Sequence, residues 1–390
     1  MLISVFGTPS PLTYWTLHAV RIIAQTLCPD FSFVHAARLD GLMSLWDSIE
    51  EARRHNVVLF SDGPEAAFCD LVLSLETPVI LSADDPEDIV SFLIASRDLS
   101  LDRALQFMTQ SVSTLSVLCG ASNVWKVRKE KYSNGTREYV EQIIETFGFV
   151  ASGEQLDNIL SQLIGNYQPG ADAFVGEQIL QHNPQARLPG EYQILDGEAR
   201  ELTRRVSEQY GAVLRNKPLG RFIWPREIFY DGDRRHFVSG PQPLVGGSRC
   251  LIFGPYFHLP RGVWDVRVEI EVDDNISGNE IHSDVFCAYA VMLAGVNAVL
   301  PRRGIFAYQM TFEILEPFLP LEVRIELRYG AIEGTLLLRT VELTRVRQLE
   351  TDRVFSYDTL PARAKGILDL WHKRLADLKL TVNKNGTDNF

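Results

Sequence analysis

Short apolar runs alternate with helix-period stripes through the first hundred residues. Residues 2–6, 31–35, 56–61 and 78–82 are compact apolar stretches of strand length. Between them, Leu12, Trp15, Ala19, Ile22 and Ile23 recur on one side of a helix over 12–27. Further helices are predicted over 41–54 and 64–75, and Pro86 opens another, a position where its missing N–H costs nothing. Buried strands that alternate with helices imply a parallel sheet covered on both faces. Ligands of such sheets sit beyond the carboxyl ends of the strands, which here carry residues 7–10, His35, Asp62 and Asp84. From 99 to 164 the pattern is helical, broken by a turn at 133–135. A Gly- and Pro-rich linker with a short helix follows over 166–189, then a helix over 198–210 and an irregular stretch over 215–245.

The period then changes from helical to alternating. Trp264, Val266, Val268, Ile270 and Val272 alternate with charged residues, and the same rhythm returns over 306–314, 321–327 and 337–343. Several such strands in about a hundred residues predict an antiparallel β-sandwich or jelly roll. The Glu and Arg residues on their polar faces read as solvated cross-strand pairs, and Trp264, in register with Val266, as core. Ala364, Ile367, Leu368, Trp371, Leu375 and Leu378 form one stripe, so 361–380 is predicted to be an amphipathic helix packing back on the protein. The expected organisation is an α/β parallel-sheet domain (1–165), a linker with helical and irregular segments (166–243), a β-sandwich (244–348) and a C-terminal helix and tail (349–390).

A chain of 390 residues is long enough for two or three domains. Its 50 acidic against 38 basic side chains argue against nucleic acid as main partner, since such binders need a phosphate-neutralising face. No stretch approaches the ~20 apolar residues of a spanning helix, and the opening residues carry no basic n-region, so a cytoplasmic protein is expected. The five cysteines (Cys28, Cys69, Cys119, Cys250, Cys287) form no CxxC pair and sit among apolar neighbours. They are expected as buried thiols rather than as a zinc site or a disulfide framework, so no metal is expected.

The first strand–turn–helix reads GTPSPLTYWT over 7–16. It resembles the phosphate loop of sulfotransferases, typically GTPRSGTTWL, with Gly7, Thr8, Pro9, Thr13 and Trp15 matching. Ser10 stands in place of the basic residue, Leu12 in place of the loop glycine and Tyr14 in place of the second hydroxyl residue. A helix N-terminus offers unpaired N–H groups to a phosphate, but here the cation is missing and Pro9 and Pro11 have no N–H to give. Residues 78–98, PVILSADDPEDIVSFLIASRD, resemble the family segment of the type VIYVVRDPRDVAVSYYHSR, whose arginine and serine hold the 3′-phosphate of PAPS. Asp84 occupies the arginine position and Ser91 lies one residue from the serine, with Arg97 as a substitute cation. Residues 137–164 are similar to the family's closing helices, with Phe147 and Gly148 at their turn. The resemblance implies a sulfotransferase-like α/β fold over about 1–165. It places a donor site at Gly7, Thr8, Ser10, Thr13, Ser91 and Arg97, with PAPS as the donor the family uses, although its usual cationic contacts are missing. A transferase would also need a base, for which His35, Asp62 and Glu65 are the candidates at strand ends. The basic cluster Lys126, Arg128, Lys129 and Lys131 reads as a solvated helix end.

In the back half, SRCLIFGPYFHLPRGVWDVRVEI over 248–270 resembles the lead-in strands of carbohydrate-binding modules. That implies sugar rings stacked on exposed aromatics, with Trp224, Tyr230, Tyr256 and His258 as the candidates on segments expected to be irregular and exposed. Three functions stay open at this point. One is a transferase acting on a sugar hydroxyl, as in assembly of a bacterial surface polysaccharide. Another is a non-catalytic glycan-binding or scaffolding protein with a degenerate cofactor site. A plainer third is a module that binds protein partners through the sandwich. Oligomeric state is not legible.

Overall fold

The computed structural model describes residues 2–349 apart from 51–53, 55, 166, 169–172, 184–185, 188–194, 233–235 and 288–290. The helix predicted over 361–380 lies outside the described residues.

Strands β1 (Leu2–Gly7), β2 (Ser32–His35), β3 (Val57–Ser61), β4 (Val79–Ser82) and β5 (Val124–Val127) form one parallel sheet in the order β2-β3-β1-β4-β5. The first four are the predicted strands. The fifth corrects the helical reading of 99–164: VWKV is a half-buried edge strand with a lysine in it, not the continuous apolar run that marks the central strands. Helices follow as α1 (Pro11–Leu27), α2 (Leu39–Ser48), α3 (Ala66–Ser74), α4 (Pro86–Arg97), α5 (Leu101–Leu115), α6 (Thr136–Thr146), α7 (Gly153–Leu163), α8 (Val175–His182) and α9 (Gly197–Leu214). Strand alternation decides which helices cover which face. Ile3, Val5, Val58, Phe60 and Ile80 pack on α1, α6, α7 and α8, while Leu2, Phe6, Leu59 and Leu81 pack on α2, α3 and the end of α5.

The back half is a sandwich of two antiparallel sheets. Its strands are β6 (Arg221–Pro225), β7 (Tyr230–Asp231), β8 (Gln242–Pro243), β9 (Arg249–Phe253), β10 (Pro255–Phe257), β11 (Gly262–Asp273), β12 (Glu280–Cys287), β13 (Val291–Val299), β14 (Gly304–Ile314), β15 (Leu321–Leu327) and β16 (Thr335–Arg347). One sheet runs β13-β12-β15-β9-β7 with β10 beside β15, and the other runs β14-β11-β16-β6 with β8 beside β16. The four alternating runs seen in the sequence are β11, β14, β15 and β16. Strand β6 comes from the stretch expected to be irregular, and it adds an edge to the second sheet through five paired residues of β16.

The two halves share one apolar cluster. Val90, Leu93 and Met108 of α4 and α5 belong to the same core as Tyr210 of α9, Phe222, Trp224, Phe257 and the sandwich interior. Polar bonds cross the seam as well. Arg261 forms a two-pronged ion pair with Asp70, Nη1 to Oδ1 at 2.9 Å and Nη2 to Oδ2 at 2.6 Å, while its Nε donates to Leu315 O at 2.9 Å. Both partners are buried. Gln106 Nε2 donates to Pro255 O at 3.0 Å, and the Tyr210 hydroxyl to His258 O at 2.6 Å.

Among the described residues no helix is long and apolar enough to cross a membrane, and no three His, Cys, Asp or Glu side chains gather as metal ligands. Cys69 and Cys119 are buried; Cys28, Cys250 and Cys287 are only half-buried, which corrects the expectation that all five are sequestered.

Candidate functional site

The turn after β1 is packed shut. Ser10 caps α1, its Oγ accepting from Thr13 N at 3.3 Å, and Thr13 Oγ1 donates across to Ser82 O on β4 at 3.2 Å. The Thr13 side chain lies directly on Gly7: a Cβ there would stand 2.5 Å from Thr13 Cγ2 and 2.6 Å from Ser82 O. Thr8, Ser10, Leu12 and Thr13 have no solvent exposure. Four of the protein's cavities, of 310 to 760 Å³, draw no wall from residues 7–13. Beside the turn sits Asp84, 3% exposed, with the Tyr132 hydroxyl donating to its Oδ2 at 2.9 Å. Burial pushes the Asp84 carboxyl up to about 7, and hydroxyls of Tyr132 and Ser10 offset only part of that cost. An anionic phosphate entering here would be repelled by this carboxyl wherever it is ionised, and the nearby Lys129 and Arg215 are paired with Asp85.

The remaining residues predicted for donor and catalysis are tied to one another or to the backbone. Ser91 Oγ donates to Glu87 O of its own helix at 2.9 Å. Arg97 turns to the carboxyl end of β3, with Nη2 3.1 Å from Asp62 Oδ2 and also bonded to the Tyr14 hydroxyl. Tyr14 donates to the same Asp62 oxygen at 2.6 Å, and His35 Nε2 stands 3.6 Å from Asp62 Oδ1. Burial alone would raise Asp62, but hydrogen bonds from His35 and Tyr14 and the charge of Arg97 outweigh it and hold the carboxyl at about 2. A carboxylate that far below neutrality is a feeble proton acceptor. Glu65 caps α2, accepting from Leu39 N at 2.6 Å. In the basic cluster, Lys129 pairs with Asp85 and Arg128 donates to Leu214 O at 2.7 Å.

The aromatic candidates divide in two. Trp224, in β6, is fully buried edge-to-face on Phe257 at 5.7 Å, and His258 is 5% exposed with Nδ1 3.0 Å from Pro317 O. Both were expected on exposed segments. The structure corrects this, because β6 and the lead-in to β11 are sandwich strands and core edges rather than loops. Trp264 is core, as its register implied. Tyr230 and Tyr256, by contrast, line a cleft of about 760 Å³ between the outer face of the β15 sheet and α5.

That cleft is built by strand alternation. On β15 the core takes Leu321, Val323, Ile325 and Leu327, so Glu322, Arg324 and Glu326 face outward as its floor. On the neighbouring β12, Asp284 faces the same way, opposite Gly295, whose missing side chain lets Met292 and His282 close over it. Arg324 folds over Asp284 with Nε to Oδ1 at 2.9 Å and Nη2 to Oδ2 at 2.6 Å, and lies 4.0 Å from the Phe286 ring centre. The end wall is aromatic. Tyr230 stacks on Phe253 at 5.5 Å and on Phe237 at 5.1 Å, with Tyr256 beside them. Tyr256 holds φ at +65°, a left-handed conformation rare for a bulky residue and a kind of strain that collects at binding sites. The opposite wall is Asp102, Arg103 and Gln106 of α5. The Tyr230 hydroxyl donates to Asp102 Oδ2 at 2.8 Å, and the Tyr256 hydroxyl bonds Glu322. Burial raises the Glu322 carboxyl above its ordinary value, with Arg324 opposing.

Glu322, Arg324, Glu326, Asp284, Asp102 and Gln106 were absent from the sequence-based candidates. The β15 row had read as solvated cross-strand pairs, which describes the other sheet, where Arg339 meets Glu269 at 3.2 Å and Glu271 at 2.8 Å in the open. The readable signal was the alternation in EIHSDVFC, which puts His282, Asp284 and Phe286 on one face next to that row.

No protein-family model matches the chain, and no curated protein matches it in sequence. Among solved structures it is similar to a mouse sulfotransferase complexed with PAP, at 12% identity and a TM-score of 0.35 over 55% of this chain and 88% of that one. It is also similar to the C-terminal family 6 carbohydrate-binding module of a laminarinase from Zobellia galactanivorans, at 11% identity and a TM-score of 0.20 over 32% of this chain and 100% of the module. A family 11 carbohydrate-binding module from Clostridium thermocellum, in complex with a mixed-linked tetrasaccharide, matches at 11% identity and a TM-score of 0.19 over 33% and 86%.

Proposed function

We propose that this protein binds a glycan in the cleft between the β15 sheet and α5, and that it acts as a binding or scaffolding protein rather than a transferase. The observation that carries the reading is the pairing of two partly exposed tyrosines with a floor of carboxylates and a guanidinium in one cleft of about 760 Å³. A pyranose has an apolar C–H face and a polar rim, so it needs a ring to lie on and acceptors around its edge. Tyr256 supplies the ring, with the edge of Tyr230, itself stacked between Phe253 and Phe237, beside it; Glu322 and Glu326 supply the rim. Tyr256 and Glu322 hold each other in place, so little side-chain freedom is lost on binding. Against a donor-dependent reaction stand the closed turn at Thr8–Thr13, the Asp84 carboxyl beside it, and an Asp62 already held by three partners.

A glycan array followed by calorimetry on the best saccharide tests this. Tyr256→Ala and Tyr230→Ala are each expected to weaken binding roughly thirtyfold, the effect of truncating a central aromatic anchor. An array without a ligand, or binding indifferent to both substitutions, would remove the cleft as the site. Titration with PAPS and with its 3′,5′-bisphosphate product is expected to give no heat at millimolar ligand. A saturable isotherm there would restore the transferase reading.

A further inference from the structure

Resting on the glycan reading, we infer that the saccharide recognised in this cleft carries a protonated primary amine, as an N-unsubstituted amino sugar does. The charge around the cleft points that way. Among the described residues, Asp102, Glu322 and Glu326 line it, with Asp284 and His282 beneath the floor, against the guanidiniums of Arg103 and Arg324. Arg324 is already engaged on two of its nitrogens by Asp284, and its third, Nη1, is 3.8 Å from Glu326. Arg103 donates to Gln106 Oε1 at 3.1 Å. Arg324 is thus spent on Asp284, while Arg103 keeps its charge beside a neutral amide; Glu322 and Glu326 present outward-facing oxygens on the same side of one strand, so carboxylates outnumber guanidiniums along the cleft. An anionic sugar would meet net negative potential here, and a cationic one net attraction.

The rings reinforce this. Each cleft tyrosine donates its hydroxyl to a carboxylate, Tyr230 to Asp102 and Tyr256 to Glu322. A phenol that donates to an anion keeps an electron-rich face, the surface an ammonium group prefers. Recognition would then combine a C–H face on a tyrosine with an ammonium that reaches the Glu322 or Glu326 carboxylate, a charge-assisted hydrogen bond that a neutral hydroxyl does not match.

The experiment compares a fully deacetylated glucosamine oligosaccharide with its N-acetylated and its unaminated counterparts of equal length. It uses the full-length protein by calorimetry at pH 6 and low salt. The aminated ligand is expected to bind about tenfold tighter than either. That margin should shrink as salt rises and fall in both Glu322→Gln and Glu326→Gln, variants whose melting curves provide the folding control. Equal affinity for all three, still abolished by Tyr256→Ala, would overturn the amine and leave the glycan reading standing. Spermidine binding as tightly as the amino-oligosaccharide would overturn the saccharide part and with it the glycan reading. No binding by any of them would count against both.

Discussion

Arg261→Met is expected to cost the fold about 3–5 kcal/mol, the usual result of removing one member of a buried ion pair. Asp70 is 2% exposed, and both its oxygens rest on the Arg261 guanidinium. Burial already raises the Asp70 carboxyl above its ordinary value, with Arg261 opposing. Without Arg261, the carboxylate stays in an apolar wall unpaired, and Leu315 O loses its donor. The double variant Asp70→Leu, Arg261→Met should recover most of the loss, because an apolar pair of similar volume removes the stranded charge. Urea unfolding of the three proteins measures this. The single variant's deficit should also shrink as pH falls, since protonation neutralises Asp70. A double variant no more stable than the single one would show that the pair's geometry, and not the stranded charge, is what holds the seam.

The second large effect has the opposite sign: Asp84→Asn is expected to stabilise the protein, and only above acid pH. The Asp84 carboxyl is raised to about 7, first by burial and further by the charges of Asp88 and Asp85. In the unfolded chain it titrates near ~3.9. Below that value both states hold the proton and the residue is neutral to stability. Between about 4 and 7 the folded chain retains a proton that the unfolded chain has released, so stability falls as pH rises; above 7 the penalty is complete and constant. Asparagine keeps an acceptor for the Tyr132 hydroxyl and never ionises. Its advantage should be roughly 2–4 kcal/mol at pH 8 and about a third of that at pH 5. Denaturation midpoints at the two pH values decide it. An advantage independent of pH would mean that Asp84 ionises in the fold without cost.

The parallel sheet was legible because each strand in its middle is a continuous apolar run between helices with a clear stripe; β5, at the sheet edge and half-buried with Lys126 in it, lacks that run. In the sandwich, strands with one wet face alternated visibly. β6 did not, since FIW is apolar on both sides: Phe222 and Trp224 point into the shared core and Pro225 ends it. That same burial is why Trp224, a plausible exposed ring from its Pro- and Arg-rich neighbours, is core. The cleft was half readable. Tyr230 and Tyr256 stood out as aromatics on short irregular segments, but the floor that gives them meaning comes from β15 and β12, and their wall from α5, more than a hundred residues earlier in the chain. Spacing within the sequence carries no trace of that meeting. The phosphate-loop resemblance was a matter of local letters, and the closure of the turn rests on Thr13 reaching Ser82 across 69 residues.

The apolar cluster that runs from α4 and α5 through α9 into the sandwich has a consequence for how such a chain can evolve. Severing it between α9 and β6 would strip cover from Val90, Leu93 and Met108 on one fragment and from Phe222, Trp224 and Phe257 on the other. Neither piece is expected to keep its shape alone, and substitutions on one side of the cluster are expected to be tolerated or not according to the residues they meet on the other.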